Sequence, residues 1–200
     1  MARIKSALEI ALERTDSVKS DRDSIGQFEA RQKGKKLANE FIEGSVDSLE
    51  EEINKVSGEE QANLKQGIFD ILVSRINLPN SKEELKHIES VGRGLLAVIG
   101  GKQFKDIAGQ LAQIMKQYLD EAAQYEEAIK QQYAPKLRQK EEEISRRMGQ
   151  RVKLDSFQDP EFVAFYNQNM NTLKANYQAV LDEVREEATR LFGEKTVANN

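Results

Sequence analysis

The sequence predicts an all-α protein: an N-terminal helical bundle of short helices followed by a long, kinked, antiparallel coiled-coil hairpin. Three observations carry this. Apolar residues recur at spacings of three and four along most of the chain. Proline is rare, with 3 in 200 residues, so few positions forbid a helix. Charged residues make up 32% and the apolar set 38%, with a mean hydropathy of -0.67, which suits exposed helices and coiled coils. A disordered chain would share that polarity but lack the apolar repeats.

The elements follow in order. Ile4, Leu8 and Leu12 lie four apart with Ala7 and Ala11 beside them, one narrow helical stripe. The polar run Asp16 to Asp23 reads as a break. Ile25, Phe28, Leu37, Phe41 and Ile42 then mark a second helix, which Gly26, Gly34 and Gly44 weaken. Ser45 or Asp47 can cap a third, carrying Val46, Leu49, Ile53 and Val56. Ser57-Gly58-Glu59-Glu60 opens a fourth with Leu64, Ile68, Ile71, Leu72 and Ile76, and Asn77-Leu78-Pro79-Asn80 stops it. Ser81 with Glu84 three residues later resembles a capping box, ahead of a fifth helix through Leu85, Ile88, Val91, Leu95 and Ile99. These helices bury their stripes only against one another, so residues 1–100 form the bundle.

After Gly100-Gly101 the stripe lengthens. Phe104, Ile107, Leu111, Ile114, Tyr118, Ala122, Tyr125 and Ile129 recur every three or four residues, and Leu137, Ile144 and Met148 continue the seam. Pro135 should kink or divide this helix. Residues 149–159 make the turn, and Asp159-Pro160-Glu161 is a strong helix start. The last helix carries Phe162, Tyr166, Met170, Leu173, Tyr177, Val180 and Val184, with Gly193 as its end and a fraying tail. Residues 101–200 are thus the hairpin. Its first arm is the longer, leaving seam near residues 102–118 for the bundle or for another subunit. Tyrosines along the seam bury ring area with their hydroxyls wet, and Asn169 and Asn176 are placed to fix register.

Composition excludes several functions. There is no Cys, so no disulfide framework, thiolate metal site or thiol nucleophile. Charge is even: residues 1–100 carry 15 Lys+Arg against 18 Asp+Glu and residues 101–200 carry 15 against 16, which excludes a half built to steer a highly charged partner. The start lacks the apolar stretch of a secretory signal. The longest apolar run, Leu95 to Ile99, is far short of a membrane span. A cytoplasmic location is expected.

Motifs for chemistry are thin. Glu84-x-x-His87 has the spacing of a di-iron helix, but that site needs two such motifs and His87 is the only histidine. A Ser-His-acid triad would depend on the same His87, and no Gly-x-Ser-x-Gly surrounds any serine. Gly92-Arg93-Gly94 and Gly100-Gly101-Lys102 lack the strand and the spacing of phosphate loops, so the second pair reads as a hinge. No catalytic residue, cofactor or metal is predicted, and the chain is expected not to be an enzyme. Arg31-Gln32-Lys33-Gly34-Lys35-Lys36 reads as a solvated basic face.

The hairpin turn is the candidate site. Arg138, Lys140, Arg146, Arg147, Arg151 and Lys153 surround it, with Leu154 and Phe157 among them. Basic side chains beside apolar ones at the end of a rod can grip an acidic protein, nucleic acid or an anionic surface. Arg146, Arg147, Arg151, Lys153, Leu154 and Phe157 are therefore the expected partner-binding residues.

The opening Ala2-Arg3-Ile4-Lys5-Ser6-Ala7-Leu8-Glu9-Ile10-Ala11-Leu12-Glu13 resembles the start of a group of uncharacterised bacterial proteins classed as a domain of unknown function. The likeness covers the first helix. It implies a bacterial, cytosolic origin and no assigned activity. The expected function is a non-catalytic scaffold or adaptor working through helix–helix contacts with a protein partner or as a homo-oligomer. The alternative is a binding module whose tip engages nucleic acid or an acidic protein.

Overall fold

The structure is a computed structural model and describes residues 7–198, with side chains from 24 to 197. Ile4 lies outside the described residues, as do the side chains of Leu8 and Leu12. Within the described residues the fold is all-α. Its elements are α1 (Ala7–Ile42), α2 (Leu49–Asn54), α3 (Gly58–Ser74), α4 (Lys82–Ile99), α5 (Lys102–Met148), a single 3₁₀ turn (Ser156–Gln158) and α6 (Pro160–Ala198).

Several boundaries differ from expectation, each for a local reason. The backbone stays helical through the polar run Asp16 to Asp23, so the two expected N-terminal helices are one. Ser and Asp are weak helix formers rather than breakers, and no proline interrupts the run. Ser48, not Ser45 or Asp47, caps α2: its side chain accepts from the Glu51 amide at 3.3 Å. The capping box at α4 does not form in its usual register, because the Glu84 carboxylate accepts from the residue before the Ser81 cap. Glu84 reaches back to the Asn80 amide at 2.8 Å, while Ser81 makes no side-chain cap bond. Helix α5 runs undivided through Pro135, and α6 passes Gly193 to reach Ala198.

One core joins α1–α4 to the base of the hairpin. Ile68, Leu72, Leu95 and Met115 are fully buried there, beside Phe104 and Leu181. Each such side chain contributes about 1.5–3 kcal/mol of burial. Phe69 of α3 stacks on Phe192 of α6, centroids 4.1 Å apart, which pins the end of the chain to the bundle. Arg185 of α6 donates to the Ile76 carbonyl and to Asn77 Oδ1, holding the α3–α4 connection. The seam near 102–118 is therefore occupied within the chain: Phe104, Leu111, Met115 and Tyr118 are all at most 4% exposed.

Helices α1 and α3 run parallel. Gly26–Lys33 borders Glu59–Asn63 at one end, and Arg75 donates to Asn39 Oδ1 at 3.2 Å at the other. They touch backbone to backbone. A Cβ on Gly34 would sit 2.2 Å from the Leu64 carbonyl oxygen, and one on Gly67 2.1 Å from that of Arg31. Ala30 and Ala38 extend the small-residue row on α1 one turn to either side, both buried. Gly100 and Gly101, with φ of 67° and 82°, make the α4–α5 turn in a backbone region that disfavours other residues. Buried Ile99 and Phe104 flank that turn in the same core.

The hairpin is antiparallel. Gln103 meets Glu187 at its base, Tyr118 meets Tyr177 edge-on at 5.1 Å, and Tyr133 meets Phe162 at 5.2 Å near its far end. A second, smaller core of Ile129, Tyr133, Phe162 and Met170 fills that far end. Asn169 donates to the Phe165 carbonyl of its own helix and Asn176 is exposed, so neither fixes register across the seam.

Candidate hairpin-tip interface

The far end of the hairpin is held by a polar cluster set against the second core. Asp159 ends the return segment and precedes Pro160, the first residue of α6. Its Oδ1 accepts from the Glu161 amide at 3.1 Å, which satisfies one of the unpaired first-turn donors. Asp159 is only 8% exposed, and a buried carboxylate requires partners. Tyr133 supplies a hydroxyl at 2.9 Å, and the Lys140 ammonium donates to both carboxylate oxygens at 2.9 and 2.8 Å. Lys140 also pairs with Glu161 at 2.5 Å, and Lys136 reaches the same carboxylate at 3.0 Å.

The charges tune one another. Lys140 first, then Tyr133, holds the Asp159 carboxyl below its ordinary value against the opposing effect of burial. Lys140 likewise depresses Glu161, and its own ammonium is raised by both carboxylates. Burial, then the Asp159 bond, raises the Tyr133 hydroxyl. That hydroxyl is thus bonded inside the protein rather than wet.

Beyond this cluster α5 continues past the start of α6, and the return segment folds back along it. Ser145 Oγ accepts from the Val152 amide at 2.9 Å, Glu141 from the Leu154 amide at 2.8 Å. The true tip is therefore Arg146 to Leu154. Arg146, Arg147, Arg151 and Lys153 are all exposed, Leu154 is half-buried, and Met148 is 59% exposed. Between Ile144 and Phe157 the chain has four cations and one carboxylate, Asp155. Arg146 lies 3.7 Å from Glu142, both well exposed. Among the described residues no carboxylate lies within 4 Å of Arg147, Arg151 or Lys153, whereas Lys130, Lys136 and Lys140 below them are all paired.

Phe157 is not with the tip residues. It packs edge-on against Phe162 at 5.1 Å and Tyr166 at 5.3 Å, with the Lys130 ammonium over its ring. Its place is the edge of the second core. Lys140, read from sequence as part of the basic cluster, belongs to the Asp159 cluster. The partnership of Tyr133, Lys140 and Asp159 went unread because 26 and 19 residues separate its members. His87 stands exposed on α4 near Arg75 and Asn77, and the carboxylate of Glu84 is engaged by Asn80. No helix among the described residues is long and apolar enough to cross a membrane.

No curated protein and no solved structure matches the chain. A family model does match, over residues 50–190, which takes in α3–α5, the tip and most of α6 but not the opening segment Ala2 to Glu13. With well over half its length covered by that model, the chain belongs to the Family of unknown function (DUF6657).

Proposed function

We propose that this protein is a non-catalytic, cytoplasmic helical adaptor whose hairpin carries a basic tip to an acidic protein partner. The observation that supports this reading is the contrast along the arm. Lys130, Lys136 and Lys140 beside the second core are neutralised by neighbouring carboxylates. Among the described residues Arg147, Arg151 and Lys153 are exposed without such partners, as is Arg138, and the tip segment sets four cations against a single carboxylate, Asp155. Uncompensated charge on a stiff support raises the local concentration of an oppositely charged partner and speeds encounter. Phe104, Leu111, Met115 and Tyr118 of the seam are buried within the chain, which favours the exposed tip as the surface for a partner. A nucleic acid is the second reading, favoured by the same arginines.

Fluorescence anisotropy of the full chain with a labelled Glu-rich helical peptide and a labelled RNA duplex tests it. The peptide is expected to bind, with affinity falling steeply as salt rises. Replacing Arg146, Arg147 and Arg151 by Glu should lower affinity at least about tenfold, with an unchanged helical circular dichroism spectrum. Tighter binding to the duplex at equal salt would replace the protein reading by the nucleic-acid one. Equal peptide binding by the triple variant would remove the tip from consideration.

A further inference from the structure

A second site lies in the bundle, away from the tip. A groove of ≈ 640 Å³ opens between the N-terminal half of α3, the end of α4 and the last turns of α6. Val98 and Phe192 line its apolar side, both nearly buried. Lys65 and Lys195 also line it. The Lys65 ammonium donates to Gln61 of its own helix at 3.1 Å. The Lys195 ammonium lies against Gly100, where an added Cβ would meet it at 2.8 Å. Among the described residues neither lysine has a carboxylate within 4 Å, although Arg185 and Arg190 on the same helix as Lys195 are both paired.

Two like charges sharing a partly desolvated groove oppose each other. Burial first, and the charge of Lys195 second, hold the Lys65 ammonium below its ordinary range. Across that lowered range the folded chain binds fewer protons than the unfolded one, so the charge on Lys65 is unfavourable to the fold at neutral pH. An anion between the two lysines would reverse the sign of that interaction. Lysine suits the task, since it binds phosphate and carboxylate as a mobile point charge. Ala62, exposed on α3, adds apolar surface beside the nearly buried Phe192 and Val98. Glu59, exposed and also lining the groove, disfavours ligands carrying several negative charges.

We propose that this groove binds a small organic anion, a phosphate or carboxylate seated between Lys65 and Lys195 with its apolar body along Phe192 and Val98. The site is independent of the hairpin tip. Titration of the full-length, ¹⁵N-labelled chain with phenyl phosphate, benzoate and inorganic phosphate, followed by amide shifts, tests it. Saturable shifts are expected at Gly58 and Gly100, with phenyl phosphate or benzoate binding more tightly than inorganic phosphate. Which of the two binds better assigns the anion. Lys65→Met and Lys195→Met should each weaken binding at least about tenfold, while Lys65→Arg, which keeps the charge, retains most of it. The Arg146, Arg147 and Arg151 variant should bind like wild type. Absence of saturable shifts at these glycines, or unchanged affinity in Lys65→Met, would overturn the site. Inorganic phosphate binding as tightly as phenyl phosphate would overturn the role of the apolar wall.

Discussion

Replacing Gly34 or Gly67 by alanine is expected to force α1 and α3 apart and to destabilise the bundle by about 3 kcal/mol or more. The obstacle in each case is a carbonyl oxygen of the facing helix, 2.2 Å away at Gly34 and 2.1 Å at Gly67. A flexible side chain could swing clear; a backbone atom inside a hydrogen-bonded helix moves only with its helix. The intrinsic preference of a helix for alanine over glycine, about 1 kcal/mol, works in the opposite direction and is outweighed. Gly109 is the control. It lies in α5 with nothing within 4 Å of an added Cβ, so Gly109→Ala should stabilise by up to about 1 kcal/mol. Urea unfolding followed by circular dichroism measures all three. For a chain of this size 3 kcal/mol corresponds to a fall in Tm of roughly 6–12 °C. If Gly34→Ala melted like wild type, the close parallel crossing would not exist in solution.

This crossing also shows where sequence reasoning stops. Ala30, Gly34 and Ala38 recur every four residues, a small-residue row on one helical face, yet Gly34 reads from sequence only as a weak point in a helix. Propensity is a property of one strand of chain, whereas close approach belongs to two. Signals that act within a few residues were legible: the stop at Pro79, the start at Asp159-Pro160 and the apolar seams all appear in the structure. Polar runs were over-read. The segment Asp16 to Asp23 and Gly193 both continue a helix, because a residue costing a fraction of a kcal/mol to about 1 kcal/mol does not end one that is otherwise favourable. The tip cations were legible as an unbalanced run. Their separation from Phe157 was not, because it depends on the return segment folding back to the level of Lys130.

Asp159→Ala is expected to loosen the far end of the hairpin, with a cost of about 3 kcal/mol. The substitution removes a helix cap and the principal partner of both Tyr133 and Lys140. Glu161 remains near both groups, at 3.4 Å and 2.5 Å, which keeps the loss below that of a fully orphaned buried charge. Asp159→Asn preserves the cap and loses only the charge, so its effect should be about half as large. The pH dependence follows from the direction of each shift. Asp159 and Glu161 lie below their ordinary values of 3.8 and 4.5, so their contribution is present above those values and disappears as pH falls through the depressed ones. Lys140 is raised above 10.5, so its share is complete below 10.5 and is lost only in stronger alkali. Wild type should therefore lose stability below about pH 4, and Asp159→Asn should lose part of that acid dependence. The cluster lies roughly 45 Å along α5 from its first turn, so hydrogen exchange can separate its effect from that of the glycine variants. Amides near Tyr133 and Phe162 should open first in Asp159→Ala, with the Leu72 and Leu95 amides still protected. An unchanged melt and unchanged exchange would reduce the cluster to an exposed ion network, worth at most about 1 kcal/mol, and the tip would then lack the rigid support on which its role depends.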